Sequence, residues 1–232
     1  MPRLVNGERK ITTPKPENAG KLLIFCEGNT EYNYIKYLKD YLECHRHFQY
    51  SDIIIEQINT KGNAMHVYNY AEEFLNDDER ARKYIYHEKH LIFDCDAPGN
   101  IQEVIRIMQA SRHRYKLDYS NLLFETWMVM HFQTLKPEEK NGKREIIRLI
   151  RDYLGVPQYI TRIKAAKGTI GKILGSNGNE KIRAAIENAK ELERHWKREE
   201  KELSKDIIQM NPSVDVYKLI ECLFDEIVYS CS

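Results

Sequence analysis

The chain has 232 residues, 42% of them hydrophobic and 31% charged, which fits one soluble globular domain with room for an appendage and excludes a disordered polyelectrolyte. Lys+Arg number 36 against 35 Asp+Glu, a formal charge of +1, so a global clamp for nucleic acid is excluded while a local basic face is not.

Residues 1–20 are polar and carry Pro2, Pro14 and Pro16, the pattern of a flexible lead-in. Lys21–Cys26 (KLLIFC) is a continuous apolar run, expected to be a strand buried on both faces. Glu27-Gly28-Asn29-Thr30 ends it, and Thr30 is placed to cap a helix carrying Tyr34, Leu38, Tyr41 and Leu42. Ile53–Ile58 reads as a second strand, and Asn63 as the cap of a helix through Val67, Ala71 and Phe74. His90–Phe93 is a third buried strand, stopping at Asp94-Cys95-Asp96, with a helix over 101–111 and a short extended piece near Tyr115–Tyr119.

From Ser120 the signals are helical. Ser120 or Asn121 is expected to cap LLFETWMVMHF, and Pro137 to open a helix reaching Tyr153, ended by Gly155-Val156-Pro157. Residues 161–175 form a basic, small-residue stretch and 179–204 a long charged helix. Asn211-Pro212-Ser213 breaks the chain before a last amphipathic helix with Val216, Leu219, Ile220, Leu223 and Ile227 on one face. Strands alternating with helices predict a parallel sheet with its functional groups at the carboxyl ends of the strands.

The cysteines Cys26, Cys44, Cys95, Cys222 and Cys231 are odd in number and form no CxxC, so neither a disulfide framework nor a cysteine zinc site is expected. No apolar stretch approaches membrane-spanning length and residues 1–20 hold no apolar signal core, which makes the cytoplasm the expected compartment.

Three carboxylates stand directly after predicted buried strands: Glu27 after the first, Asp94 and Asp96 after the third. Neighbouring parallel strands bring their carboxyl ends together, and two residues apart on extended backbone point the same way. Clustered carboxylates repel unless a cation sits among them, and hard oxygen ligands suit Mg²⁺ or Mn²⁺. Such an ion neutralises charge and orients phosphate in phosphoryl chemistry. A lone D-x-D is more simply a loop or a helix cap; its pairing with Glu-Gly after another apolar strand favours the metal. Glu31, one turn into the next helix, can face the same pocket or serve the helix N-terminus alone.

FCEGNTE (25–31) with FDCD (93–96) resembles the Toprim arrangement. Ser120-Asn121 leading into FETWMVMHF, then Asn211-Pro212-Ser213 with VYKLIECL, extends the resemblance to the RloB-like (RloB/AbiLii) group over about residues 21–228. The order of the blocks carries it, since no single block is specific. The resemblance implies a Toprim-like Rossmannoid parallel sheet flanked by helices over 21–119, with a mostly helical region over 120–232 packed on it. It also implies a Mg²⁺- or Mn²⁺-dependent nuclease acting in phage defence by abortive infection, with a separate AAA- or ABC-type ATPase as partner. No membrane is implied, and a homo-oligomer stays open. Glu27, Asp94 and Asp96 match the family's metal-binding and catalytic acids, and Glu125 a recurring further acid. The chain departs from the family pattern at Ala97, where another acid is common, and at Leu122-Leu123 and Tyr217.

Charge is partitioned along the chain. Residues 139–205 hold 17 Lys+Arg against 10 Asp+Glu, a net of +7, and the rest holds 19 against 25, a net of −6. This reads either as a solvated helical face or as a grip on a nucleic-acid backbone, RNA (tRNA included) or DNA, beside an acidic half. Gly168-Thr-Ile-Gly171-Lys172 lacks the spacing of a P-loop; Lys167 and Lys172 are instead candidates for a backbone phosphate. His45, His47, His87 and His90 lack zinc-ligand spacing and read as surface histidines, while His131, Trp127, Met128 and Met130 read as core. Two rival readings remain. One is a catalytically weak regulatory or docking subunit of an ATPase-containing complex; the other is a phosphatase-like hydrolase with Asp94 as nucleophile.

Overall fold

The computed structural model describes residues 21–46, 53–58, 62–96, 101–139, 141–164, 166–175 and 178–229. The run LLIFC forms strand β1 (Leu22–Cys26), buried along its whole length. Alternation along it fixes the two layers of the molecule. Leu22, Ile24 and Cys26 face one core with Tyr34, Ile35 and Leu38, whereas Leu23 and Phe25 face a second core with Val67, Ala71 and Phe74.

Helix α1 (Asn29–Arg46) lies on the first face, and β2 (Ile53–Gln57) returns parallel to β1. Helix α2 (Ala64–Leu75), capped by the Asn63 side chain on the His66 amide, crosses the second face, with a short α3 (Asp78–Lys83) after it. Strand β3 (Glu88–Asp94) then pairs with the other edge of β1. The chain thus leaves β1 to one side for β2 and comes back to the other side for β3. That reversal opens a crevice at the carboxyl ends of β1 and β3, where open α/β sheets take their ligands. Helix α4 (Ile101–Ala110) covers the second face, and β4 (Lys116–Asn121) continues the parallel sheet.

The segment expected to be a brief extended piece near Tyr115–Tyr119 is this fourth strand, running on through Ser120 and Asn121. Those two residues therefore do not cap a helix. The next helix, α5 (Phe124–Val129), starts at Phe124 with no side-chain cap. The reason lies far along the chain: β5 (Ser213–Val214) pairs antiparallel with Ser120 and Asn121, completing the order β2-β1-β3-β4-β5. The Asn121 amide also donates to the Ile207 carbonyl at 2.6 Å and the Met210 carbonyl at 2.8 Å. Partners about ninety residues away outweigh a local capping signal.

Pro137 opens only a 3₁₀ turn (Pro137–Glu139), and α6 (Lys143–Leu154) follows, ended by Gly155 with φ +64 in the left-handed region that glycine favours. The basic small-residue stretch folds into α7 (Thr161–Lys164) and α8 (Lys167–Leu174). One of its glycines, Gly171, serves close packing, whereas a Cβ on Gly168 would meet nothing within 4 Å. A Cβ on Gly171 would stand 3.3 Å from the Tyr37 hydroxyl of α1. Helix α9 (Gly178–Arg198) ends earlier than its charge pattern suggested, with Glu200 at φ +54 turning the chain into α10 (Leu203–Asp206). Helix α11 (Val216–Tyr229) closes the order. Helices α5, α6, α8, α9 and α11 share one apolar core with the first face of β1, centred on the fully buried Trp127. Each such large apolar side chain contributes about 1.5–3 kcal/mol by leaving water. Among the described residues no helix is long and apolar enough to cross a membrane.

His131 is in the core as read. Its Nε2 accepts from the Tyr34 hydroxyl at 2.8 Å, its Nδ1–H donates to the Trp127 carbonyl, and burial holds its pKa down to about 4. His90 is the exception to the surface reading. It is 4% exposed, and its Nδ1 stands 2.7 Å from Asp118 Oδ2 on the neighbouring strand. His45 has no described side chain, and His47 lies outside the described residues.

Candidate metal centre

The five acids singled out from the sequence all lie on the carboxyl side of the sheet. Glu27 follows β1, whose ladder its own N–H extends by donating to the Ile92 carbonyl. Asp94 is the last residue of β3 and Asp96 lies two further on. Glu31 sits in the first turn of α1 and Glu125 in the first turn of α5, after β4. The β1–β3 register brings Glu27 and Asp94 together: the Asp94 N–H donates to Glu27 Oε2 at 3.0 Å.

Glu31 and Glu125 are unusual in being 5% and 3% exposed, since acids at helix starts ordinarily stay in water. Gly28 makes room for Glu31: a Cβ there would stand 2.9 Å from Glu31 Oε2, so a larger residue would make this carboxylate shift. Residue Asp94 keeps slight solvent contact, yet its Oδ1 is sealed from water and has no hydrogen-bond partner among the described residues.

The electrostatics place these groups in one cluster. Burial, then Glu31, Glu125, Glu27 and Asp96, push the Asp94 carboxyl well above its ordinary pKa. Burial likewise raises Glu27 from 4.5 to about 7, opposed by the Asp94 amide and raised further by Asp96. Glu31 is raised by burial and by Glu125 and Glu27. Acids up to about a hundred residues apart thus make one another harder to ionise, the condition that a divalent cation relieves.

Two lysines, neither singled out from the sequence, reach into this cluster. Lys143, at the start of α6, donates to Asp96 Oδ2 at 2.8 Å. Lys164, at the end of α7, stands 2.8 Å from Glu125 Oε1 as an ion pair without hydrogen-bond alignment. Both belong to the segment of net +7. Much of that segment's remaining charge is spent within itself, as in Arg148 with Glu145 and Asp152, and Lys197 with Glu193. No local pattern marks which lysines turn inward, because that follows from how α6 and α7 pack. Lys172 is exposed on α8, and the Lys167 side chain is outside the described residues.

In kind, these residues fit a hard divalent ion: carboxylate oxygens only, one of them buried and unpartnered. As placed, however, among the described residues no group of three or more His, Cys, Asp or Glu could hold a metal ion. The reason is visible in the partners, since Glu27 is turned to an amide and Asp96 and Glu125 to lysines.

A second buried polar group lies towards the other end of the sheet. Burial opposes charge on His90, but the Asp118 carboxylate, with Glu88 beyond it, outweighs burial and raises the imidazole to about 9. Its charge is held by β3 and β4 together.

None of the curated proteins and none of the solved structures matches the chain. The family comparison agrees with the order of blocks seen along the sequence, from the β1–Glu27 junction to the last helix. The chain belongs to the RloB-like protein family, whose family model matches residues 22–223.

Proposed function

We propose that this chain is a divalent-metal-dependent nuclease, in which Glu27, Asp94 and Asp96 hold Mg²⁺ or Mn²⁺ and Glu31 and Glu125 complete the acidic wall. The observation that carries the reading is the Asp94 carboxyl: its Oδ1 is buried and unpartnered, and four other acids raise its pKa at the carboxyl ends of parallel strands. Membership of the RloB-like family fits a role in phage defence. A divalent ion here supplies charge neutralisation and activation of water for attack on phosphorus.

The residues themselves perform the remaining tasks. Asp94 and Asp96 leave the end of β3 on a fixed backbone, and Glu27 is held to that backbone through the Asp94 amide. Glu27 is raised to about 7 in the metal-free chain, and would be lowered and held as a carboxylate ligand by a bound cation. Lys143 and Lys164 neutralise the acids at rest and are placed to turn towards a substrate phosphate. The partners in this reading are a nucleic acid and a separate ATPase.

A regulatory subunit with a weak metal site is the second reading. It is favoured by the absence of a finished ligand set among the described residues and by the lysines on Asp96 and Glu125. Cleavage of RNA and DNA with Mg²⁺ or Mn²⁺, in the presence of the ATPase, tests the proposal. Wild-type protein is expected to cut, and Asp94→Asn to lose at least about a hundredfold in rate while keeping its circular dichroism. Full activity in Asp94→Asn overturns the nuclease reading.

A further inference from the structure

At the end of the sheet opposite the acids, a cavity of about 630 Å³ opens between the turn before β3 and the turn before β4. Its lining includes Lys89, Arg112, Arg114 and Lys116, against one acid, Glu88. Lys116 is paired with Glu88 at 2.6 Å, which leaves three cations. Lys89 donates to the His87 carbonyl, and Arg112 to the Asn76 side chain and the His113 ring, all neutral acceptors. Arg114 has no side-chain partner among the described residues, and its backbone lies at φ +53, a conformation that a residue with a Cβ rarely adopts. Partial burial lowers the Lys89 pKa, as expected for an ammonium that has lost water and gained no anion.

The same rim exposes Tyr86 at 67% and Ile85 at 62%, the two most exposed large apolar side chains among the described residues. Cations converging on a cavity ask for an anion; an aromatic face beside them asks for a flat apolar group. The volume falls within the range of about 300–1,000 Å³ that suits a small ligand, and it is too small for a duplex. β3 separates this cavity from the acids by about 20 Å, at roughly 3.3 Å per residue from Glu88 to Asp94.

We infer that this cavity is a second site that binds a nucleotide, its phosphate held by Lys89, Arg112 and Arg114 and its base stacked on Tyr86. The nucleotide is either free or one residue of a single strand; both present the same phosphate and base. The inference does not depend on the nuclease reading, because the acids play no part in it.

Calorimetry in EDTA and low salt tests it on the full chain with three probes: inorganic phosphate, AMP and a hexa-uridylate. AMP is expected to bind more tightly than phosphate. Arg114→Glu, an exposed position, should weaken AMP by about 10- to 100-fold, the loss of one charge-assisted contact. Tyr86→Ala should weaken AMP and leave phosphate unchanged, and Asp94→Asn should bind as wild type does. Binding of AMP alone identifies a free nucleotide as the ligand, and binding of the hexamer with or without AMP identifies a strand. Failure of both AMP and the hexamer to bind, or undiminished binding in Arg114→Glu, overturns the inference.

Discussion

Asp94 and Glu27 are neighbours only because β1 and β3 pair in parallel; Glu27 makes Asp94 harder to ionise, while burial and Asp96 raise Glu27 against the pull of the Asp94 amide. The linkage sign follows. A carboxyl raised from 4.5 to about 7 binds its proton more strongly in the folded chain, so Glu27 favours folding fully below pH 4.5 and loses that contribution as pH rises through 7. Without metal, Glu27→Gln, which still accepts the Asp94 amide, should therefore stabilise the protein at pH 8 by roughly 1–3 kcal/mol. Urea unfolding in EDTA measures this, and a destabilised variant would show that Glu27 is held by favourable contacts instead. The two glutamates in first turns illustrate what sequence can and cannot disclose. Their positions were legible, but their burial was not, because it depends on what the fold packs over them, as Lys164 of α7 does over Glu125.

Strands and helices were legible in proportion to how local their determinants are. The apolar runs of β1 and β3, and the Asn63 cap of α2, speak for themselves. β5 does not: two residues form a strand only because Ser120 and Asn121 offer a free edge. His90 was misjudged for a similar reason, since it reads as a surface residue until β3 and β4 align it with Asp118. Removing one member of this pair leaves a buried charge without its partner, so Asp118→Ala should destabilise the fold by about 3 kcal/mol in chemical denaturation. At the inward ends of α6 and α7 the expectations differ. Lys143→Ala should change stability by less than about 0.5 kcal/mol, because both partners are partly exposed. Lys164→Ala, which uncovers a carboxylate with a 4% exposed side chain, should cost more. Both variants should bind Mn²⁺ more tightly than wild type if these lysines compete with the ion for the acids.

Over the whole molecule the two polar groups act together on pH dependence. His90, raised to about 9, contributes stability that is complete below pH 6.5 and lost as pH climbs through 9. Glu88, lowered to about 2 first by the His90 imidazole 3.6 Å away and then by Lys116, contributes above pH 4.5 and is lost as pH falls through 2. Combined with Glu27, these shifts predict that metal-free protein is most stable near pH 5 and declines towards pH 9. Thermal melts in EDTA across that range check the decline. Added Mn²⁺ should remove the part between about pH 5 and 8, which belongs to the acids, and leave the part near 9, which belongs to His90. A sheet carrying acids at one end and a cationic cavity at the other is thus polarised along its strands, although the chain's formal charge is only +1.

Titration of Mn²⁺ into wild type and Asp94→Asn by calorimetry at pH 8 tests the central claim most directly. Wild-type protein should bind with a dissociation constant below about 1 mM, the scale of a useful cellular site, and Asp94→Asn should lose at least about tenfold. No binding by wild type, or equal binding by both proteins, would contradict a metal centre built on these acids.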